Sequence, residues 1–325
     1  MKSRRLTFRQ HGDPAQVLKL GNCEIPPPAQ GDALLEMRAA AINPSDLGTI
    51  GGSYGTLPDL PATAGLEGVA TVLEDCGELR QGDLVRIPPG LGTWQTHLLA
   101  PAKDLLKVPA DIPADQAATA FVNPPTAWLL LREVVQLQPG DWVVQNAANS
   151  AVGIAVIQIA RNLGLRTANL VRRPELVQPL LNLGADAVLL DDDDAPGAVT
   201  EHTGGERPKL ALNSVGGHSA YRLCKMLGRS GSHVTFGAMT GEPTRFPTRF
   251  LLFNDIRLTG FWVTRWLEEA GPGVAQAVEE QIFSLLRQGV LRTQIEATYP
   301  LQDWQSALQH NARPRLGKVL FQTGG

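Results

Sequence analysis

The sequence predicts an α/β protein, a doubly wound parallel sheet accompanied by a β-rich domain. Three observations carry this reading. Residues 140–173 read strand, small-residue loop, helix and strand in direct succession. Strands and helices keep alternating from there to residue 263. Residues 1–115 hold short apolar runs separated by Gly and Pro, as a rolled sheet or partial barrel would.

Taken in order, Leu6-Thr7-Phe8 reads as the first strand, and Val69–Leu73, Leu84–Ile87 and Trp94–Leu99 as later ones. Two loops stand out among them. One runs Ala41–Asp46 and on through Gly51-Gly52-Ser53-Tyr54-Gly55, and the other is Ala64–Gly68. Tyr54 sits among glycines with little local packing to join. It is either an aromatic docked on the core or a hydroxyl serving a cleft. A helical segment from Pro113 to Leu131 is broken at Asn123-Pro124-Pro125.

Trp142–Asn146 is then a strand after the turn Pro139-Gly140, and Ile154, Ile157, Gln158 and Leu163 fall near helical spacing before Gly164. Further strands are expected at Thr167–Val171, Ala187–Leu190, Leu210–Val215, His233–Phe236 and Ile256–Val263, with helices at Leu176–Leu183 and Ser219–Leu227. About six strands with intervening helices make a doubly wound sheet. Asp191–Asp194 reads as a solvated loop, because four adjacent acids in a loop cannot all converge on one cation. Residues 272–289 form an amphipathic helix, and the tail Thr298–Phe321 alternates strand, helix and strand, returning to complete the N-terminal domain.

The loop after the strand at 142 would seat a pyrophosphate against a helix N-terminus. It keeps only Gly153 of the three glycines in the usual fingerprint; Ala148 and Ser150 are small substitutes. Taken alone it fits a plain βαβ turn equally well. An NAD site carries an acid about 20 residues past the loop. Here the next strand ends Val171-Arg172-Arg173 instead. Two guanidiniums suit a dianionic 2′-phosphate, so the pair favours NADPH.

The chain of 325 residues is long enough for two domains. Its net charge of −3, with no basic run among aromatics, argues against nucleic-acid and anionic-membrane partners. Cys23, Cys76 and Cys224 form neither a disulfide framework nor a CxxC pair, which suits a reducing compartment. No apolar run reaches membrane-spanning length. Without a convincing presequence, the expected location is cytoplasmic.

The order of parts resembles the medium-chain dehydrogenase/reductase superfamily. That resemblance implies a GroES-like catalytic domain at 1–115 completed by 290–325, and a Rossmann NADPH-binding domain at 116–289. It implies a cofactor and active site in the cleft between them. The zinc-dependent alcohol dehydrogenases of the superfamily use a Cys in the first loop and a His in a G-H-E motif. Here those words read Asn43-Pro44-Ser45-Asp46 and Gly65-Leu66-Glu67, and His97, His202, His218 and His233 are scattered. No metal is therefore expected.

Within the zinc-free branch, INPSD (42–46), GSYGTLPDLPA (52–62), NPPTAW (123–128), AANSAVG (147–153) and GFW (260–262) look like the mitochondrial-type 2-enoyl thioester reductases. The resemblance implies NADPH-dependent reduction of the C2=C3 bond of trans-2-enoyl thioesters of CoA or acyl carrier protein, with hydride to Cβ and a proton from Tyr54 to Cα. It places Asn123 beside the nicotinamide ribose and Asn149, Ser150, Ala151 and Val152 at the pyrophosphate, and counts Asn43, Thr126 and Gly153 among the cofactor-binding residues. Arg172 and Arg173 would take the 2′-phosphate. Phe236, Gly237, Ala238, Met239, Phe261, Trp262 and Val263 would line the nicotinamide, and Lys318 would reach back to the cofactor. Trp262 is equally readable as an acyl-channel wall or a core residue. Apart from the family analogy, Asn123, Phe261 and Lys318 read as a loop, a core and a surface residue. The family also implies a homodimer. The alternatives are an NADPH:quinone oxidoreductase or reductase of other activated alkenes, and a non-catalytic NADPH-binding protein.

Overall fold

The structure is a computed structural model that describes residues 1–322. Its strands are β1 (Lys2–Phe8), β2 (Lys19–Glu24), β3 (Asp32–Ala41), β4 (Ala62–Thr63), β5 (Gly68–Val72), β6 (Leu84–Arg86), β7 (His97–Pro101), β8 (Leu106–Lys107), β9 (Trp142–Gln145), β10 (Arg166–Val171), β11 (Ala187–Leu190), β12 (Leu210–Asn213), β13 (Ser232–Thr235), β14 (Arg257–Gly260), β15 (Ile295–Tyr299) and β16 (Lys318–Gln322). The chain divides into two compact units. Met1–Phe121 joins the segment from Thr293 onward, and Val122–Arg292 forms the other. The first boundary lies beyond residue 115 because the short helix Ala114–Ala117 packs on β3 and β5. The last three residues of the segment 290–325 lie outside the described residues.

The first unit carries a three-stranded sheet, β2-β1-β4, and a seven-stranded sheet ordered β15-β16-β3-β5-β6-β8, with β7 also pairing β3. β3 alternates inward Ala33, Leu35 and Met37 with half-exposed neighbours, as a strand with one face on the core must. Its core gathers Leu6, Phe8, Leu35, Met37, Trp94, Trp304 and Phe321, so the tail closes over the N-terminal strands. Trp94 meets Phe321 edge-on at 5.1 Å between ring centroids.

The second unit holds a parallel sheet ordered β11-β10-β9-β12-β13-β14. β9 and β10 are buried almost throughout, as strands covered on both faces are. The chain reverses direction across the sheet between β9 and β12, which is where the crevice for a ligand opens in such folds. The strand read over Ile256–Val263 stops at Gly260. Phe261 and Trp262 leave the sheet, and Val263 begins a helix running to Ala270.

Several helices depart from the sequence reading. Pro44–Gly51 is helical, although its glycines suggested a loop. Asn123-Pro124-Pro125 starts the helix Asn123–Arg132 instead of breaking one. Proline is tolerated there because the first-turn N–H groups have no intrahelical partner to lose. Thr248–Asn254 is a further helix, just before β14.

Candidate functional site

In the second unit the expected cofactor residues gather at the C-terminal edge of the parallel sheet. β9 ends at Gln145, and the chain turns through Ala147, whose φ of 45° is left-handed. It enters the helix Ala151–Asn162 at Ser150. Ser150 Oγ accepts from Gly153 N at 3.1 Å, capping the helix. A hydroxyl that accepts in this way keeps its own proton to donate. Gly153 is required by space, since a Cβ there would stand 2.5 Å from Ala148 O. Gln145 Nε2 ties the turn down, donating to Gly153 O at 2.9 Å and to Asn169 Oδ1 at 2.7 Å. The small residues thus bring backbone close to the helix start, where first-turn N–H groups and the helix dipole favour an anion.

Arg172 is exposed at the end of β10. Arg173 beside it meets Glu175 at 3.1 Å, in a solvent-facing pair weak enough to exchange for a phosphate. Phe236–Met239 runs along the end of β12, where Phe236 N donates to Asn213 O and Met239 N to Ser214 O, both at 2.9 Å. Phe261 N donates to Thr235 O at 2.9 Å, bringing the 261–263 stretch to the same edge. Phe261 also packs against the cluster of Leu129, Val263 and Val278. Val263 is buried in that cluster, and Trp262 caps the helix that follows. Asn123 and Thr126 lie buried on the helix Asn123–Arg132, which packs against Ala151–Asn162. Thr126 Oγ1 donates back to Val122 O at 2.6 Å.

Behind this edge lies a polar network the sequence did not announce. Asn146 Nδ2 donates to Asn213 Oδ1 at 2.8 Å and to Ser219 Oγ at 2.9 Å, and its Oδ1 accepts from Ser214 N at 2.8 Å. Ser219 Oγ donates to Asp191 Oδ2, and Arg222 Nε donates to Asp191 Oδ1 at 2.8 Å. Asp191 therefore departs from the solvated run expected over 191–194: its side chain is only 4% exposed.

In the first unit Tyr54 is half-buried, three residues past the helix Pro44–Gly51. It lies against Gly48, from which a Cβ would be 3.6 Å from Tyr54 Cβ. The N-terminus of that helix is bound into a buried charged cluster. Asn43 N donates to Asp46 Oδ2 at 2.6 Å, and Leu66 N donates to Asp46 Oδ1 at 2.7 Å. Asn43 Nδ2 donates to Glu67 Oε1 at 2.7 Å, and Phe121 N to Glu67 Oε2 at 3.2 Å. Lys318 is no surface residue: its ammonium donates to Ile42 O at 2.7 Å and to Asn43 Oδ1. Burial raises the Asp46 carboxyl well above its ordinary range, against the opposing Asn43 N–H and Lys318 charge. Burial likewise lowers Lys318, against the attraction of Glu67 and Asp46. Asp46 and Glu67 were not singled out from the sequence, although Asn43-x-x-Asp46 before a helix is a capping signal.

A dinucleotide-binding sheet and a rolled sheet in one chain define the dehydrogenase class that the family models describe. Residues 29–110 match the alcohol dehydrogenase GroES-like domain, and residues 151–280 the zinc-binding dehydrogenase. The human mitochondrial enoyl-[acyl-carrier-protein] reductase is 43% identical over 96% of this chain and 86% of its own. Etr1p, solved as an NADP and crotonyl-CoA complex, superposes with a TM-score of 0.91 at 28% identity, covering 99% of this chain and 100% of that one. It also occurs in a mitochondrial 2-enoyl thioester reductase heterodimer, Etr1p/Etr2p, from Candida tropicalis. A putative NADPH:quinone reductase from Bacillus thuringiensis superposes with a TM-score of 0.90 at 27% identity, covering 100% of both chains. The chain belongs to the enoyl-[acyl-carrier-protein] reductase family of the medium-chain dehydrogenases/reductases. It is an oxidoreductase of that family. The cytoplasmic location expected from the sequence does not stand, because relatives aligned over most of the chain are mitochondrial by name.

The zinc of the second family model's description does not fit these residues. The first loop has no Cys and Leu66 stands at the His position of G-H-E, while the neighbouring Asp46 and Glu67 oxygens already accept N–H groups beside the Lys318 ammonium. Among the described residues, no three His, Cys, Asp or Glu side chains converge as a metal site would need.

Proposed function

We propose that this chain reduces the C2=C3 bond of trans-2-enoyl thioesters with NADPH, adding hydride at Cβ and a proton at Cα. Family membership across 96% of the chain is the observation that carries this reading. The residues at the sheet edge fit the cofactor, since Gly153 lets the helix start pack on the Ala148 carbonyl and the first-turn N–H groups stand near two arginines. Asn149–Gly153 would hold the pyrophosphate, and Arg172 and Arg173 the 2′-phosphate. Asn123, Thr126, Phe236–Met239 and Phe261–Val263 would face the remainder, whereas the Asn43 and Lys318 side chains are buried in hydrogen bonds to each other, Glu67 and Ile42. When bound, NADPH supplies the hydride.

The chain's own chemistry is acid catalysis. Tyr54, the phenol just past the end of the helix Pro44–Gly51, is the donor assigned to Cα. Proton delivery by a positioned acid contributes roughly 10²- to 10⁴-fold. No metal is assigned to polarise the thioester carbonyl, and hydrogen bonds take that role. Tyr54→Phe should lower turnover on a short enoyl-CoA by at least about tenfold while NADPH affinity holds. Unchanged turnover would remove Tyr54 from the reaction.

The likeness to the Bacillus thuringiensis protein favours a second reading, quinone reduction. A quinone is electrophilic enough to need little help from an acid. Initial rates on enoyl-CoA, enoyl-acyl carrier protein and a simple quinone separate the readings and identify the carrier.

The chain is further proposed to be a homodimer. β14 is an edge strand, and Phe253 and Leu252 just before it are 77% and 70% exposed. An open apolar edge needs a cover. Sedimentation of Phe253→Asp as a monomer, against a wild-type dimer, is the expected result.

A further inference from the structure

The cluster under the Tyr54 helix is an expensive way to hold a fold together. Asn43, Asp46, Glu67 and Lys318 are each at most 4% exposed. Taking charges out of water costs several kcal/mol per ion, and apolar packing of the same volume often stabilises a fold better. What the ionic arrangement supplies is direction. It joins three segments far apart in sequence: the helix start at 43–46, the loop at 66–67, and β16.

The helix so anchored is short, and its far end leads directly to the phenol. Gly52, with φ 82°, caps it in the left-handed conformation. Ser53 N donates to Gly48 O at 2.9 Å, and Tyr54 comes next, resting on Gly48. His11 steadies the same end, with Nδ1 at 3.2 Å from Thr49 O. A rotation of the helix about its anchored end is therefore passed on to the Tyr54 hydroxyl.

We propose that Asp46, together with Asn43, Glu67 and Lys318, is a positioning residue for Tyr54, fixing the helix Pro44–Gly51 and through it the direction in which the phenol delivers its proton. The proposal rests on the reading of Tyr54 as proton donor. Asp46 touches neither the phenol nor the reacting atoms; it acts by accepting Asn43 N and Leu66 N at once. An amide at residue 46 keeps one of these bonds and sets an N–H against the other.

A double-mutant cycle on turnover tests this. Wild type, Asp46→Asn, Tyr54→Phe and the double variant are compared for kcat and KM on a short enoyl-CoA. The dissociation constant for NADPH is followed by fluorescence. Asp46→Asn should lower kcat by about tenfold or more, within the range an acid catalyst contributes, with KM and NADPH affinity within about twofold. In the Tyr54→Phe background the same substitution should change kcat by less than about twofold, because coupled residues do not add. An equal loss in both backgrounds, or no loss with Tyr54 present, overturns the proposal and leaves the Tyr54 reading intact. If Tyr54→Phe alone leaves turnover unchanged, the Tyr54 reading falls and this proposal with it. Should Asp46→Asn fail to fold, Glu67→Gln enters the same cycle and must show the same coupling.

Discussion

Replacing His233 with leucine should remove much of the acid sensitivity of this protein. His233 lies on β13 with no exposed surface, edge-on to Phe246 at 5.8 Å between ring centroids. Neither ring nitrogen has a hydrogen-bond partner in good geometry. Burial holds its pKa down from the ordinary 6.5 to about 4, against weaker pulls from the backbone at Ala220 and at its own residue. Because the folded value lies below the unfolded one, the unfolded chain takes up the proton first as pH falls. The neutral ring's contribution is complete above pH 6.5 and is lost between there and about pH 4. That gap is worth about 3 kcal/mol at roughly 1.4 kcal/mol for each pH unit. Asp46 works in the opposite sense over a similar range, since its folded value is raised and its contribution grows as pH falls. Comparison with the variant cancels that term. Urea unfolding of wild type and His233→Leu at pH 7 and pH 4 is the assay. Wild type should lose about 3 kcal/mol more than the variant over that interval. Equal losses, or an imidazole NMR signal titrating near 6.5, would refute the reasoning.

Gly153→Ala should raise KM for NADPH and cost about 1–3 kcal/mol of stability, because its Cβ would press on the Ala148 carbonyl; an unchanged melting temperature and KM would contradict this. Arg172→Ala with Arg173→Ala should weaken NADPH about 10- to 100-fold, at roughly 1.5–3 kcal/mol for a charged hydrogen bond, while NADH is unaffected; equal losses for both cofactors would show that the arginines do not hold the 2′-phosphate. Asp191→Ala should cost about 3–5 kcal/mol, the range for breaking one side of a buried ion pair, since Arg222 would lose its buried carboxylate partner at 2.8 Å and keep only the exposed Asp193 and a backbone carbonyl; differential scanning calorimetry reads this directly.

The doubly wound sheet was legible because its information is local. Trp142–Gln145, the small loop and the periodic helix follow one another within a few residues, and Gly153 marks the close approach to Ala148. Proline and glycine were harder. Pro124-Pro125 reads as a break in a helix, but both stand in a first turn, as Pro44 does, where proline costs little. Phe261-Trp262-Val263 continued the apolar run of β14, and composition alone could not show that the sheet ends at Gly260. The buried cluster was out of reach for a different reason. Lys318 meets Asn43 across 275 positions of sequence, and Arg222 reaches Asp191 across 31. No periodicity records which acid in a run will be desolvated, because the partner that makes burial possible lies elsewhere in the chain.

The position of β16 between β15 and β3 has a consequence for biosynthesis. A ribosome delivers the strands from Lys2 to Lys107 early, but β15 and β16, which complete their sheet, emerge only after Val122–Arg292. The span from Val122 to Arg292 is contiguous and can close on itself while translation continues. Until β16 emerges, Ala39–Ala41 at the end of β3 lack their strand partner on that side, while β7 already pairs Asp32–Glu36. During that interval this short open edge is available for pairing with another chain.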